Sequence, residues 1–350
     1  MIFMKNRKIK IDNGQPIFII AEMACAHDGD VDKAKQLIDA AVKAGADAVQ
    51  LQFYSLEALM TPSHHLYKLL EKIEFTVNQW KEIYNYARCF NIEIFACTYD
   101  IPSVELAIKL NVDGIKINSS DLSNPELLTK VAKFNKPFTI GTGASTIEEI
   151  AKAVDIIKPY GNDNLILMHG IQNFPTDISY AHINKIKIFQ SLFPYPVGYQ
   201  DHTDASDPFS KLIDLLAIGA GACVIEKHIT LNRAEKGTDY QAALESDEFC
   251  EFVSLIRNAE KAIGSVLINP LSESDIKYRN FQKKSIVSDT QLKKGDIIKL
   301  DKVKFLRTGK MPDLSPSDFK SIEGKTVKND IDAMHPITKE LINWEMDNIK

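Results

Sequence analysis

The sequence predicts a (β/α)8 barrel followed by a small β-rich module. Three observations predict it. Short apolar, β-rich runs alternate with helical patterns eight times over about 250 residues, which suits a parallel sheet closed on itself. The first such run leads into Glu22-Met23-Ala24-Cys25-Ala26-His27-Asp28-Gly29-Asp30, with no GxGxxG or GxxxxGK[ST] pattern, so an open doubly wound sheet would lack its usual phosphate loop. After about residue 280 the alternation gives way to short extended pieces and turns.

The elements follow in order. Ile17 to Ala21 is the first strand. Asp30 caps a helix whose apolar stripe is Val31, Ala34, Leu37, Ile38 and Ala41, and Gly45 ends it. Ala48 to Phe53 is the second strand, and the segment from there to Trp80 reads as a loop over the barrel mouth. A helix from about Trp80 to Phe90, a strand from Ile92 to Thr98, a helix from Ser103 to Leu110 and a strand from Gly114 to Ile117 come next. Pro125 opens a helix to about Phe134 at a favoured first-turn position. Phe138 to Gly141 is a strand, and Thr146-Ile147-Glu148-Glu149 starts a helix to Ile157. Strands at Leu165 to Met168, Pro196 to Tyr199 and Cys223 to Lys227 alternate with helices at His182 to Ser191, Pro208 to Ile218 and Asp247 to Ile263. The expected division is a barrel over 1–268, a polar linker over 269–283 and the small module over 284–350.

Composition narrows the function classes. In 350 residues, 42 Lys and Arg face 47 Asp and Glu, a formal charge of -5, which excludes a generally basic nucleic-acid surface. No run approaches the roughly 18 apolar residues of a membrane span, and the first residues lack a signal-peptide pattern. Five cysteines without a CxxC pair read as reduced thiols of a cytoplasmic protein.

In a (β/α)8 barrel the site lies at the carboxyl ends of the strands. Those ends carry Glu22, Gln52, Thr98, Asn118 with Ser119, Thr142, His169, Asp201 with His202, and His228. His202 and His228 end consecutive strands, close enough to share one metal ion or to hydrogen-bond as a pair. Two histidines without a nearby cysteine do not make structural zinc, so loosely held Mn²⁺ or Mg²⁺ is the better reading. His64 and His65 fall in the long segment after Phe53, His182 on a helix and His335 in the small module. Lys116, inside a short apolar strand, is either paired in the barrel interior or binds an anion, and neighbouring Ser119, Ser120 and Thr142 favour the anion.

These motifs carry a resemblance along nearly the whole chain. Ala21-Glu22 with His27-Asp28-Gly29-Asp30, Ala44-Gly45-Ala46-Asp47, Thr142-Gly143, His169 with Phe174-Pro175-Thr176, Gly198-Tyr199-Gln200-Asp201-His202-Thr203, Ile225-Glu226-Lys227-His228 and Gly237-Thr238-Asp239 stand in one order. In that order the chain resembles the sialic acid synthase family, including N-acetylneuraminate synthase and its nonulosonic acid relatives, with an antifreeze-like (SAF) module at 284–350. The resemblance implies condensation of phosphoenolpyruvate with an N-acylhexosamine aldehyde and release of phosphate. It implies metal ligation by His202 and His228, and a catalytic carboxylate at Glu22. It implies phosphoenolpyruvate contacts at Lys116, Thr98 and Ser119, and a sugar-side pocket at Gln52, Asp121 and Asp239. Thr142, Gln172 and Asp201 join the substrate-binding set. Arg307 is implied to reach the sugar bound by the other subunit of a homodimer.

Departures from the family pattern matter too. Gln50 stands where the family has a lysine that helps hold phosphoenolpyruvate; Gly141 and Gln200 replace serines, Gln172 an asparagine, and Asp121 a glutamate. Two other readings stay open: an aldolase or lyase acting on a 2-keto-3-deoxy sugar acid, which needs no phosphate site, and a non-catalytic sugar-binding protein.

Overall fold

The computed structural model describes residues 2–4, 9–12, 14–264 and 270–344, and the chain divides into two compact units, residues 1–266 and 267–350. The first unit opens with an antiparallel hairpin of β1 (Ile2–Met4) and β2 (Ile9–Ile11). Three-residue strands are too short to show a period, and sequence reading missed them. Buried Ile2, Met4 and Ile11 pack with Phe18, Ile20, Phe95, Ile166, Met168 and Val224, closing the amino end of the barrel with apolar side chains.

The barrel itself runs β3 (Phe18–Glu22), α1 (Val31–Ala44) and β4 (Ala48–Phe53), then α2 (Leu56–Leu59), α3 (Tyr67–Ile73) and α4 (Val77–Ala87) before β5 (Glu93–Thr98). It continues through α5 (Ile101–Leu110), β6 (Gly114–Ile117), α6 (Pro125–Lys133), β7 (Phe138–Gly141), α7 (Ile147–Ile157) and β8 (Leu165–His169). It ends with α8 (Lys185–Leu192), β9 (Val197–Asp201), α9 (Ile213–Gly219), β10 (Val224–Thr230), the short β11 (Leu244–Glu245) and α10 (Ser246–Ile263). Strands β3 to β10 pair in parallel in chain order, and β10 pairs with both β9 and β3, which closes the sheet. The expected caps hold these helices. Asp30 accepts from the Asp32 and Lys33 amides, Gly45 sits at φ 81°, and Thr146 with Glu149 forms a reciprocal capping box; a cap of this kind contributes about 1 kcal/mol.

Three expectations are corrected. The segment between β4 and α4 is not a plain loop, because α2 and α3 lie in it; Ile73 is buried there with Cys25 and Tyr54. His182 is not helical: its φ of 43° ends a turn before α8. The expected linker is largely the helix α11 (Glu273–Gln282), capped by Ser272 and Asp275. Its side chains are not buried, so no apolar stripe marks it in the sequence. The expected boundary at 268 falls within 265–269, outside the described residues.

In the second unit, β12 (Lys284–Ser288) pairs antiparallel with β13 (Val303–Arg307), and α12 (Phe319–Ile322) follows. Its own core contains Ile286, Leu292, Ile298, Leu314, Ile322, Val327, Ile337 and Ile342. Among the described residues no helix is long and apolar enough to cross a membrane.

Candidate active site

Alternation along each strand decides what reaches the barrel interior. On β9, Val197 and Tyr199 pack with the surrounding helices, whereas Gly198 meets the interior Met168 and Gln200 reaches Ser119. On β10, Ile225 and Ile229 pack outward, which turns Glu226 and His228 inward. The interior face of the mouth is therefore built from Glu22, Gln50, Gln52, Cys97, Lys116, Gln200, Glu226 and His228.

These groups form a buried network. Lys116 Nζ pairs with Glu226, and both are almost fully buried. Gln50 Nε2 donates to Glu22 and, at 3.2 Å, to Glu226. Ala24 N donates to Glu22 Oε1 at 2.6 Å. Burial pushes the Glu22 carboxyl up to about 7; Glu226 adds to the rise, and Lys116, Gln50 and the Ala24 amide oppose it. Burial alone would lower the Lys116 ammonium, but Glu226 holds it above its ordinary value. The sequence left two possibilities for Lys116, and the interior pair with Glu226 is the one seen here. Glu226 itself went unread, although its place two residues before His228 puts both on one face of a strand.

His202 and His228 lie together, with ring centroids 5.2 Å apart, and the Phe174 ring covers both at 4.2 and 5.7 Å. His202 Nδ1 is hydrogen-bonded to the Ile171 carbonyl at 2.6 Å, which leaves Nε2 for another partner. Burial lowers the proton affinity of His202, and burial with the neighbouring His202 holds His228 well below the ordinary range. Both rings are therefore neutral at pH 7, the state that ligates a metal ion. Among the described residues no set of three or more His, Cys, Asp and Glu side chains is placed to hold a metal. The residues present fit an ion with two protein ligands and the rest of its shell from water or substrate.

On the other side of the mouth, Ser119 Oγ is approached by Gly143 N at 3.2 Å, Gln172 Nε2 at 3.0 Å and Gln200 Nε2 at 3.5 Å. Gln52 accepts from Cys25 Sγ at 3.3 Å and donates to the Tyr99 hydroxyl, which also accepts from Asn118 at 3.1 Å. Asp239 adopts a left-handed φ of 60°, and burial pushes its carboxyl up to about 6. Asp121 sits in the turn after β6 and accepts from Ser120 and Asn124. Tyr99, which joins the Gln52 and Asn118 side chains, was also missed; it lies one residue beyond the expected strand end.

Several expected site residues are turned elsewhere. Asp201 is corrected: it faces the helices and bonds Lys227, the Tyr199 and Thr203 hydroxyls and the Thr203 amide. Lys227 also bonds Asp214 of α9 at 3.1 Å and the Ser210 carbonyl at 2.6 Å, all in a fully buried cluster. Thr98 gives its hydroxyl to the Lys116 carbonyl and Thr142 gives its own to Met168, so both serve the sheet backbone. His169 points outward to the Ala181 carbonyl and the Phe189 ring. Stacked His64 and His65 are exposed, and His335 lies in the second unit, where its amide meets Ser288. Arg307 ends β13 in that unit.

Comparison with known proteins gives the family of the chain. The NeuB family profile matches residues 37–267, and the SAF domain profile matches 283–343. The chain is 36% identical to an uncharacterised protein of Methanocaldococcus jannaschii over 97% of this chain and 98% of that one. It is 33% identical to the N,N'-diacetyllegionaminic acid synthase of Legionella pneumophila over 90% and 92%. Among solved structures, the N-acetylneuraminic acid synthetase of Leptospira borgpetersenii superposes with a TM-score of 0.72 at 30% identity, covering 77% of this chain and 94% of that one. The chain belongs to the NeuB family and carries a SAF domain.

Proposed function

We propose that this protein condenses phosphoenolpyruvate with an N-acylhexosamine-type aldose, N-acetylmannosamine or a related sugar, to give a sialic acid-like nonulosonic acid and phosphate. The observation that carries this reading is the pairing, across one barrel mouth, of a neutral histidine couple with a donor-rich cluster around Ser119. The first suits an aldehyde-activating ion; the second suits a phosphoryl group.

His202 and His228 would hold Mn²⁺ or Mg²⁺, which supplies Lewis-acid polarisation of a carbonyl oxygen when bound. Carbon 3 of the enolpyruvate attacks the aldehyde carbon, water adds at carbon 2, and the tetrahedral product loses phosphate by C–O cleavage. Glu22, with its carboxyl at about 7, is poised both to accept and to return a proton at the water step. Ser119 serves the anionic substrate, Lys116 stays paired with Glu226 in the barrel interior, and Gln52, Asp121 and Asp239 serve the sugar. Five free thiols are in keeping with a reaction run in the cytoplasm.

The test is incubation with phosphoenolpyruvate, Mn²⁺ and a panel of aldoses while phosphate release is followed. Turnover that chelation abolishes and Mn²⁺ restores is the expected result. A second reading is favoured by Gln50, which brings no cation to the site: a lyase cleaving a 2-keto-3-deoxy sugar acid. Pyruvate release from such an acid, with no phosphate release from phosphoenolpyruvate, would replace the first reading with the second.

We further propose a homodimer in which Arg307 serves the partner's barrel. Mixing His228→Ala with Arg307→Ala under subunit exchange should restore about one quarter of wild-type activity for a statistical mixture. No recovery after proven exchange removes Arg307 from the partner's site.

A further inference from the structure

Two segments far apart in the chain meet beside the barrel mouth: the turns after β3 and the loop between β10 and β11. The first is tightly built. Asp28 N donates to the Cys25 carbonyl at 3.0 Å and Asp30 N to the His27 carbonyl at 2.9 Å, so successive turns lead into α1. His27 between them is fully buried, stacked on Phe75 at 4.3 Å and edge-on to Trp80 at 5.8 Å. Asp28 is therefore a carboxylate on a fixed post.

The second segment is tied down on both sides of its tip. Arg233 Nη2 donates to Glu248 of α10 at 2.8 Å, the Arg233 amide donates to Glu245 at 2.8 Å, and the Gln241 carbonyl accepts from Ala205 N at 2.7 Å. Between these anchors Lys236 and Asp239 take left-handed φ values of 53° and 60°, uncommon for residues that carry a side chain. Gly237 comes so close to the first segment that a Cβ there would lie 3.1 Å from Asp28 Oδ1. Lys33, in the first turn of α1, bridges the contact: its Nζ lies 2.6 Å from Asp28 Oδ2 and 2.6 Å from Glu235 Oε2. Burial alone would lower the Lys33 ammonium, but these two carboxylates hold it above its ordinary value. Without it, Asp28 and Glu235 would face each other as like charges.

We propose that Lys33 is a positioning residue for the sugar: by joining Asp28 to Glu235 it pins the tip of the β10–β11 loop, and so fixes Asp239, a few residues further on, beside the mouth. Burial and, next, the charge of Asp239 raise the Cys25 thiol, and Cys25 Sγ donates to Gln52 at 3.3 Å, so Asp239 and Gln52 border one space. The proposal rests on the synthase reading for the identity of what Asp239 meets; the pin itself is a property of the free protein. An ionic pin between partly exposed groups is weakened by salt, which a packing contact is not.

The test uses the full chain and two readouts: hydrogen exchange of the amides of residues 234–241, and KM and kcat for both substrates. Lys33→Met should speed exchange in that segment about fivefold, raise the aldose KM by a similar factor and leave the phosphoenolpyruvate KM in place. Lys33→Arg, which keeps the cation, should restore most of both. Glu235→Gln should act in the same direction, and the double variant should be no worse than Lys33→Met alone, because one bridge is lost in each. In the wild type the aldose KM should rise with added salt, and Lys33→Met should lose that dependence. Unchanged exchange in Lys33→Met overturns the pin. Faster exchange with an unchanged aldose KM, or with both KM values raised alike, overturns the positioning role. Absence of turnover on every aldose overturns the synthase reading and the sugar role with it, and faster exchange in Lys33→Met then leaves the pin standing. If Lys33→Met does not fold, Glu235→Gln decides by the same two readouts.

Discussion

Strands β9 and β10 present adjacent residues to two different environments, and the contrast separates architecture from chemistry. Outward, Asp201 and Lys227 are joined with Asp214 in a sealed ionic cluster. Both Asp201 oxygens and the Lys227 ammonium have protein partners. Inward, one residue away, His202 and His228 are neutral and keep ring nitrogens for another partner, while Gln200 keeps an unpartnered amide oxygen. Both regions are buried and polar. What distinguishes them is charge pairing: the outer cluster sets its cation between two carboxylates, leaving Asp214 Oδ1 without a partner among the described residues, whereas the histidines inside are neutral and keep nitrogens for another partner.

The largest expected effect breaks the outer cluster. Lys227→Met leaves two carboxylates buried without their cation, and should cost about 3–5 kcal/mol in denaturant unfolding. A loss under about 1 kcal/mol would show that the cluster does not hold β9, β10 and α9 together. On the inner side, Glu22→Gln should lower kcat about a hundredfold and leave the melting temperature unchanged or higher, because it removes a carboxylate beside Glu226. Full turnover in this variant would remove Glu22 from the chemistry.

The comparison sharpens with pH. Burial raises Glu22 from 4.5 to about 7 and Asp214 from 3.8 to about 7. A raised folded-state value means that each group's stabilising contribution is complete below its ordinary value and is lost as pH rises through about 7. Stability should therefore decline from about pH 4 to 7 on their account, and Glu22→Gln and Asp214→Asn should each flatten that decline in thermal melts. Only the inner carboxylate should shape catalysis, so Asp214→Asn is expected to keep the wild-type acid limb of kcat/KM. A displaced limb would couple the outer cluster to the reaction.

The smallest expected effect comes from Gln50→Lys. A cation placed beside Glu22 and Glu226 should pull Glu22 back toward the ordinary carboxylate range and move the acid limb down by about one pH unit. Under the synthase reading it should also lower the phosphoenolpyruvate KM. An unmoved limb would mean that the new ammonium does not reach Glu22.

Much of this site was legible in the sequence. The strand-end rule picked out Glu22, Gln52, Ser119, His202 and His228, and the structure brings all five to the mouth. It failed where the last residue of a strand turns outward. Asp201, Thr98 and His169 end their strands with side chains on the helix side, and Thr142 spends its hydroxyl on the Met168 carbonyl. The interior positions Cys97, Tyr99, Gln200 and Glu226 went unread as site residues because each stands one or two places away from a more conspicuous neighbour.

By itself, the sequence determined the alternation of strands and helices, the caps at Asp30 and Thr146 and the change of pattern after about residue 280. Those are local properties: a period, a capping side chain and a turn residue act within a few neighbours. Only the tertiary structure decided which of two adjacent polar residues faces the chemistry. A side chain's direction depends on strand register in the closed sheet, and a shift of one residue exchanges inside for outside. The same holds for the fate of the charges. Lys116 was a lone cation in the sequence, and Glu226, 110 positions further on, became its partner only when the barrel closed.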